Sequence, residues 1–335
     1  TATASDVSGD KEVVSKETMS TFKDQMANRV KSDPLDMKAL RKAAEQGDAE
    51  AQYTLGGNYL LGFHVERDAV QSFAWFRKAA DQGNASAQYY VGLCYLQGEG
   101  VERDPAQAVF WCQKAAEQGN TDAKVILGLC YESGDGVAKD PAQAVAWYKE
   151  AAEQGNASAQ SSLSSCYKIG NGVAEDPVLA FNWCLKAAEQ GYATAQYNLG
   201  ACYENGEGVT TDFVQAVAWY NKAAEQGVAD AQFRLGWCYA KGKGVTQNPA
   251  QAVVWYQKAA EQGNADAQYQ LGNCFKLGDG VTHDPVQAFS WYRKAAEQGR
   301  ADAQVMLAFC YGTGLGVTED PVRAVAWYQM AAEQG

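Results

Sequence analysis

The chain has 335 residues, 47% hydrophobic and 20% charged, the mix of a soluble globular protein long enough to bury a substantial core. No apolar run approaches the roughly 20 residues that a bilayer crossing needs. A net charge of −12 with a pI near 4.7 excludes nucleic acid and anionic membrane as partners, because phosphate contacts need clustered Lys and Arg; it points to a neutral or basic protein surface.

In chain order, residues 1–12, TATASDVSGDKE, are small and polar and show neither an initiator Met nor a secretion signal. A mature N-terminus after cleavage and an artificial start fit equally. The compartment therefore stays open between a bacterial periplasmic or secreted location and the cytoplasm, and residues 1–14 are expected to be flexible. Met19, Phe22, Met26 and Val30 then fall at helical spacing, and a second helix from Pro34 to Gln46 completes a half unit, so 15–47 is expected to cap the core. Docking of the first of these helices into the protein's own groove is the alternative to a plain cap.

From residue 43 one pentapeptide punctuates the chain. AAEQG occurs eight times, first at 43–47 and last at 331–335, with AADQG at 79–83, and neighbouring copies lie 36 residues apart. Trp75, Trp111, Trp147, Trp183, Trp219, Trp255, Trp291 and Trp327 keep the same interval. Eight units thus tile 48–335: 48–83, 84–119, 120–155, 156–191, 192–227, 228–263, 264–299 and 300–335.

The unit 84–119 reads as a helical hairpin. Ala87, Val91, Cys94 and Tyr95 recur with helical spacing, as do Ala108, Trp111, Ala115 and Ala116. The glycines of GEGV end the first helix; Asp104 and Pro105 cap and start the second. In AAEQG the two alanines admit a close neighbour, Glu and Gln face water, and Gly119 stops the helix. Helices of about 12 residues are marginal alone, so stacking must supply the core. The expected fold is all-α, a right-handed α/α superhelical solenoid of eight 36-residue helix-turn-helix repeats, with a contour on the order of 80 Å.

The pattern A-x-x-x-L-G-x-x-Y-x-x-G-x-G-V-x-x-D-P-x-x-A-x-x-W-Y-x-K-A-A-E-Q-G, read along 123–155 with Glu150 in the Lys place, resembles the Sel-one-like repeat family, relatives of the tetratricopeptide repeats. The resemblance covers 48–335. It implies an interaction scaffold without catalytic residues, of the kind found in bacterial and eukaryotic adaptors and in bacterial proteins that meet host or envelope partners. Cysteine-rich members bridge the two helices of a unit from places that here hold Gln88 and Ala116, so that disulfide framework is not carried over.

The cysteines follow another rule. Cys94, Cys130, Cys166, Cys202, Cys238, Cys274 and Cys310 share one repeat position, where a spacing near 10 Å exceeds the roughly 7 Å a disulfide tolerates. A buried thiol row is expected. Cys112 and Cys184 are extras, which leaves Cys94–Cys112 and Cys166–Cys184 as conceivable bonds; nine being odd, at least one thiol stays free or pairs outside the chain. His64 and His283, the only histidines, read as solvated loop residues. The GxGV loops lack the GK[ST] ending of a phosphate loop and are explained by chain reversal, and carboxylates such as Glu207 and Asp212 belong to loops and caps. No catalytic, metal or cofactor site is expected.

Function should lie where the repeats disagree. Ala and Trp positions are constant, whereas the third, seventh, tenth and fourteenth places drift and form one stripe of the first helix, expected to line a concave face. Large residues there are candidate anchors for a protein or peptide: Tyr90, Leu93, Ile126 and Leu129 as one patch, Arg234 and Trp237 as a second, Met306 and Phe309 as a third. Burial of these side chains in a tight superhelix is the competing expectation. The reading is a non-catalytic scaffold; the alternative is a structural protein joined end to end through its stacking faces.

Overall fold

The computed structural model describes residues 37–334. They form 17 α-helices arranged as repeated helix-turn-helix pairs, an all-α solenoid with no strand among the described residues. The helix expected around Met19 to Val30 lies outside them.

The chain divides into two compact units between Trp183 and Cys184, inside one helix. The first holds α1 (Met37–Glu45), α2 (Ala49–Leu61), α3 (Ala69–Asp81), α4 (Ala85–Gln97), α5 (Pro105–Glu117), α6 (Thr121–Ser133), α7 (Pro141–Glu153), α8 (Ala157–Ile169) and the start of α9 (Pro177–Glu189). The second holds the rest of α9, then α10 (Ala193–Asn205), α11 (Phe213–Glu225), α12 (Ala229–Lys241), α13 (Pro249–Glu261), α14 (Ala265–Leu277), α15 (Pro285–Glu297), α16 (Ala301–Thr313) and α17 (Pro321–Ala332).

Local chemistry sets the ends. The Asn84 side chain accepts from Ala87 N–H at 2.8 Å to open α4, and Gly98, at φ 73°, closes it by donating to Cys94 O at 2.8 Å. Asp104 accepts from the amides of Ala106 and Gln107 at 3.1 Å, with Pro105 at the first helical position of α5. Caps and stops fall where the sequence placed them.

Packing within a hairpin depends on paired sizes. Leu127, Leu163, Leu199, Leu235, Leu271 and Leu307 are fully buried at one repeat position, as are Tyr148, Tyr220 and Tyr292 at another. A Cβ on Gly128 would lie 2.3 Å from the Tyr148 ring, so the small residue on the first helix exists to seat the ring from the second.

Packing between repeats uses two devices that the sequence reading missed. The second glycine of the GxGV loops does more than reverse the chain: a Cβ on Gly136 would stand 2.2 Å from the carbonyl oxygen of Pro105 in the preceding repeat. The Gln of AAEQG also does more than face water. Gln118 donates to Gln88 at 2.7 Å, and Gln88 in turn donates to Ala80 O at 3.2 Å in the preceding repeat. In the second unit Gln226–Gln196–Ala188, Gln262–Gln232–Ala224 and Gln298–Gln268–Ala260 repeat this link. Buried glutamines satisfied in this way tie the carbonyl ends of successive helices together.

One repeat departs from that pattern. Lys124 replaces the glutamine, its side chain 9% exposed, and its ammonium lies 2.9 Å from Glu150, which replaces the lysine that elsewhere covers a tryptophan ring, as Lys222 covers Trp219 at 3.6 Å. Gln154, left without its glutamine acceptor, donates to Glu150 O at 3.0 Å.

Candidate partner-binding surface

Burial pushes the Cys94, Cys130 and Cys238 thiols up to about 12, and those of Cys274 and Cys310 to about 11, so they stay protonated at neutral pH. Cys94 and Cys112 are separate thiols, because Cys112 Sγ packs over Gly92, where a Cβ would lie 2.5 Å from it. His64 and His283 are exposed in loops, and Asp212 is an N-cap accepting from Val214 and Gln215. No group of three His, Cys, Asp or Glu residues could hold a metal among the described residues.

The raised thiol values carry a stability consequence. A group whose acidity is weakened by folding stabilises the fold below its unfolded pKa and loses that contribution as pH rises through its folded pKa. Urea midpoints are therefore expected to fall between about pH 9 and pH 12, and Cys238→Ser should shrink the fall.

The drifting stripe separates by unit. In the first unit Tyr90, Leu93 and Ile126 are buried and Leu129 is half-buried. Tyr90 stacks on Phe76 with ring centroids 5.0 Å apart and meets Tyr89 edge-on at 4.9 Å and Tyr53 at 6.0 Å. Bulky residues at neighbouring places on adjacent first helices thus cover one another, and the open patch expected around Tyr90 is part of the core. The signal was in the sequence: Tyr53 and the Tyr89–Tyr90 pair fall one repeat apart.

In the second unit Arg234, Trp237 and Met306 are half-buried and Phe309 is 39% exposed. Arg234 Nη1 lies 3.5 Å from Glu204 Oε1, while the Tyr220 hydroxyl donates to the other oxygen of the same carboxylate. Burial, followed by this hydrogen bond, raises the Tyr220 pKa, so the phenol keeps its proton and holds Glu204 in place. Trp237 leans on the core side chains around Leu235 and Leu271, and the Lys276 ammonium sits 5.2 Å from the Phe309 ring centroid. Glu204, which orients Arg234, lies off the drifting stripe, so comparison of repeats along that stripe does not single it out.

The Sel1 repeat model matches residues 40–48, 49–84, 85–120, 121–156, 157–192, 193–228, 229–264, 265–299 and 301–335. The chain belongs to the Sel1 repeat family. Eight near-full-length Sel1 matches follow one short one, in agreement with the 36-residue period. A protective antigen of uropathogenic Escherichia coli strains, which displays this repeat fold, is 42% identical over 90% of the chain, with a TM-score of 0.80. The chain spans 65% of that antigen's length. A Sel1 repeat protein from Oxalobacter formigenes is 36% identical, covering 89% of this chain and 87% of its own, with a TM-score of 0.67. No curated protein matches. Sel1 repeat proteins generally mediate protein–protein interaction and are generally non-catalytic. No described helix is long and apolar enough to cross a membrane.

Proposed function

We propose that this Sel1 repeat protein is a non-catalytic scaffold that binds a protein or peptide along the first-helix stripe, with Arg234, Trp237, Met306 and Phe309 as contacts and Leu129 as a minor one. The observation that carries this reading is the accessibility of Trp237 and Phe309 at a repeat position that Ala201 and Asn273 fill without loss of the helices. Stacking does not require large apolar side chains there, and accessible aromatic residues on a rigid helix face are effective anchors.

Affinity capture with the full chain beside Trp237→Ala and Phe309→Ala tests it. Partner retention should fall by about 2 kcal/mol, roughly 30-fold, for both variants, while the urea midpoint moves little for Phe309→Ala and falls for Trp237→Ala, whose ring leans on the core. Intact retention with a large loss of stability would overturn the proposal.

A further inference from the structure

The accessible face of the second unit carries a local charge opposite to that of the whole chain. On α12, Arg234, Trp237 and Lys241 fall at the seventh, tenth and fourteenth places and share one stripe. The next first helix, α14, adds Lys276 and Leu277, and α16 adds Phe309, on whose ring the Lys276 ammonium rests at 5.2 Å. Leu277 is 72% exposed, and Lys241 is exposed as well.

Three cations on this face meet one carboxylate. Glu204 is 12% exposed and already holds both the Tyr220 hydroxyl and Arg234. The remaining acids of these helices are engaged at the opposite helix ends: Asp230 accepts from Asn264 at 2.7 Å, Asp266 pairs with Arg300, and Asp302 lies 3.5 Å from Arg300. Asp279 is exposed in the loop after α14, and among the described residues neither Lys241 nor Lys276 makes an ion pair. Lysines in a last helical turn offset the carbonyl end of the helix. That accounts for the two lysines alone, but not for accessible Trp, Leu and Phe side chains set among them.

We infer that this face takes an extended acidic segment of another protein, its carboxylates on Arg234, Lys241 and Lys276 and an aromatic or branched side chain over Trp237, Leu277 and Phe309. The inference rests on the stripe being the binding surface and reverses the preference for basic partners suggested by the net charge of −12. Because the whole chain repels acidic partners at long range, affinity resides in short-range pairing.

The test is selection of a random dodecapeptide library on the full chain, run in parallel on Trp237→Ala, on the Lys241→Glu, Lys276→Glu double variant, and on Lys243→Glu. Lys243, whose ammonium lies 5.2 Å from the Phe213 ring centroid, serves as control. Circular dichroism confirms each fold. The expected result is enrichment of peptides rich in Asp or Glu with an aromatic residue, retained by the control. Both test variants should lose them by about tenfold or more, as should the peptide with its acids changed to amides. Enrichment of neutral or basic peptides that Trp237→Ala loses would overturn the acidic specificity and leave the stripe as the binding surface. No enrichment, or peptides indifferent to Trp237→Ala, would overturn both.

Discussion

Gly136→Ala is expected to lower stability by about 3 kcal/mol, measured by urea unfolding of the full chain. Two costs combine. Gly136 sits at φ 76°, a left-handed backbone that costs an alanine roughly 1–2 kcal/mol. Its added Cβ would also stand 2.2 Å from Pro105 O, a backbone atom with no rotamer by which to retreat, so the two repeats must part locally, at an overpacking cost of about 1–3 kcal/mol. The first repeat supplies the contrast. There His64 occupies the equivalent place with φ 58°, the one positive-φ residue other than glycine among those described. His64→Gly should be neutral or stabilising by up to about 1 kcal/mol. Equal tolerance of alanine at Gly136 and at Gly47, where a Cβ meets nothing within 4 Å, would refute the close-approach argument.

The second large effect concerns Lys124 and Glu150. Glu150→Lys restores the residue found in most other repeats, yet it should cost about 2 kcal/mol, because it places a second ammonium beside a buried one. The figure is below that for a fully buried pair, since Glu150 is half exposed and solvent screens it. Lys124→Gln alone should cost little, and the double variant Lys124→Gln, Glu150→Lys should return close to the wild-type midpoint by rebuilding the Gln88-type link. A double-mutant cycle with coupling near zero would show that the two departures arose independently.

Most of the solenoid was legible because its determinants are local. Asp104, Pro105, Gly98 and Gly119 act within a few residues of themselves, and the 36-residue period exposes the core through constant Ala and Trp. What stayed hidden lies a repeat away. The Gln118–Gln88 link spans 30 residues, and Gly136 meets a carbonyl 31 residues back. Neither partner is marked by any feature of its own neighbourhood. The candidate surface was half legible for the same reason. Variation at the seventh and tenth places exposed the stripe, but whether a side chain there meets solvent depends on its neighbours on adjacent helices: Tyr53 and Phe76 close over Tyr90, whereas the neighbours of Phe309 leave it open.

The hydrogen bonds between repeats also bear on how such a chain can lengthen. Glutamine, alanine and glycine recur at the joints, so duplicating a whole 36-residue cassette presents each new joint with partners it already fits. Lys124 and Glu150 lie in one cassette and would be copied together. Arg234 and Glu204 lie in two. A duplicated 228–263 would set the copied guanidinium opposite Ala240 instead of a carboxylate. Recombination can thus inherit the stack intact while the Arg234–Glu204 pair must be rebuilt by point substitution after each duplication.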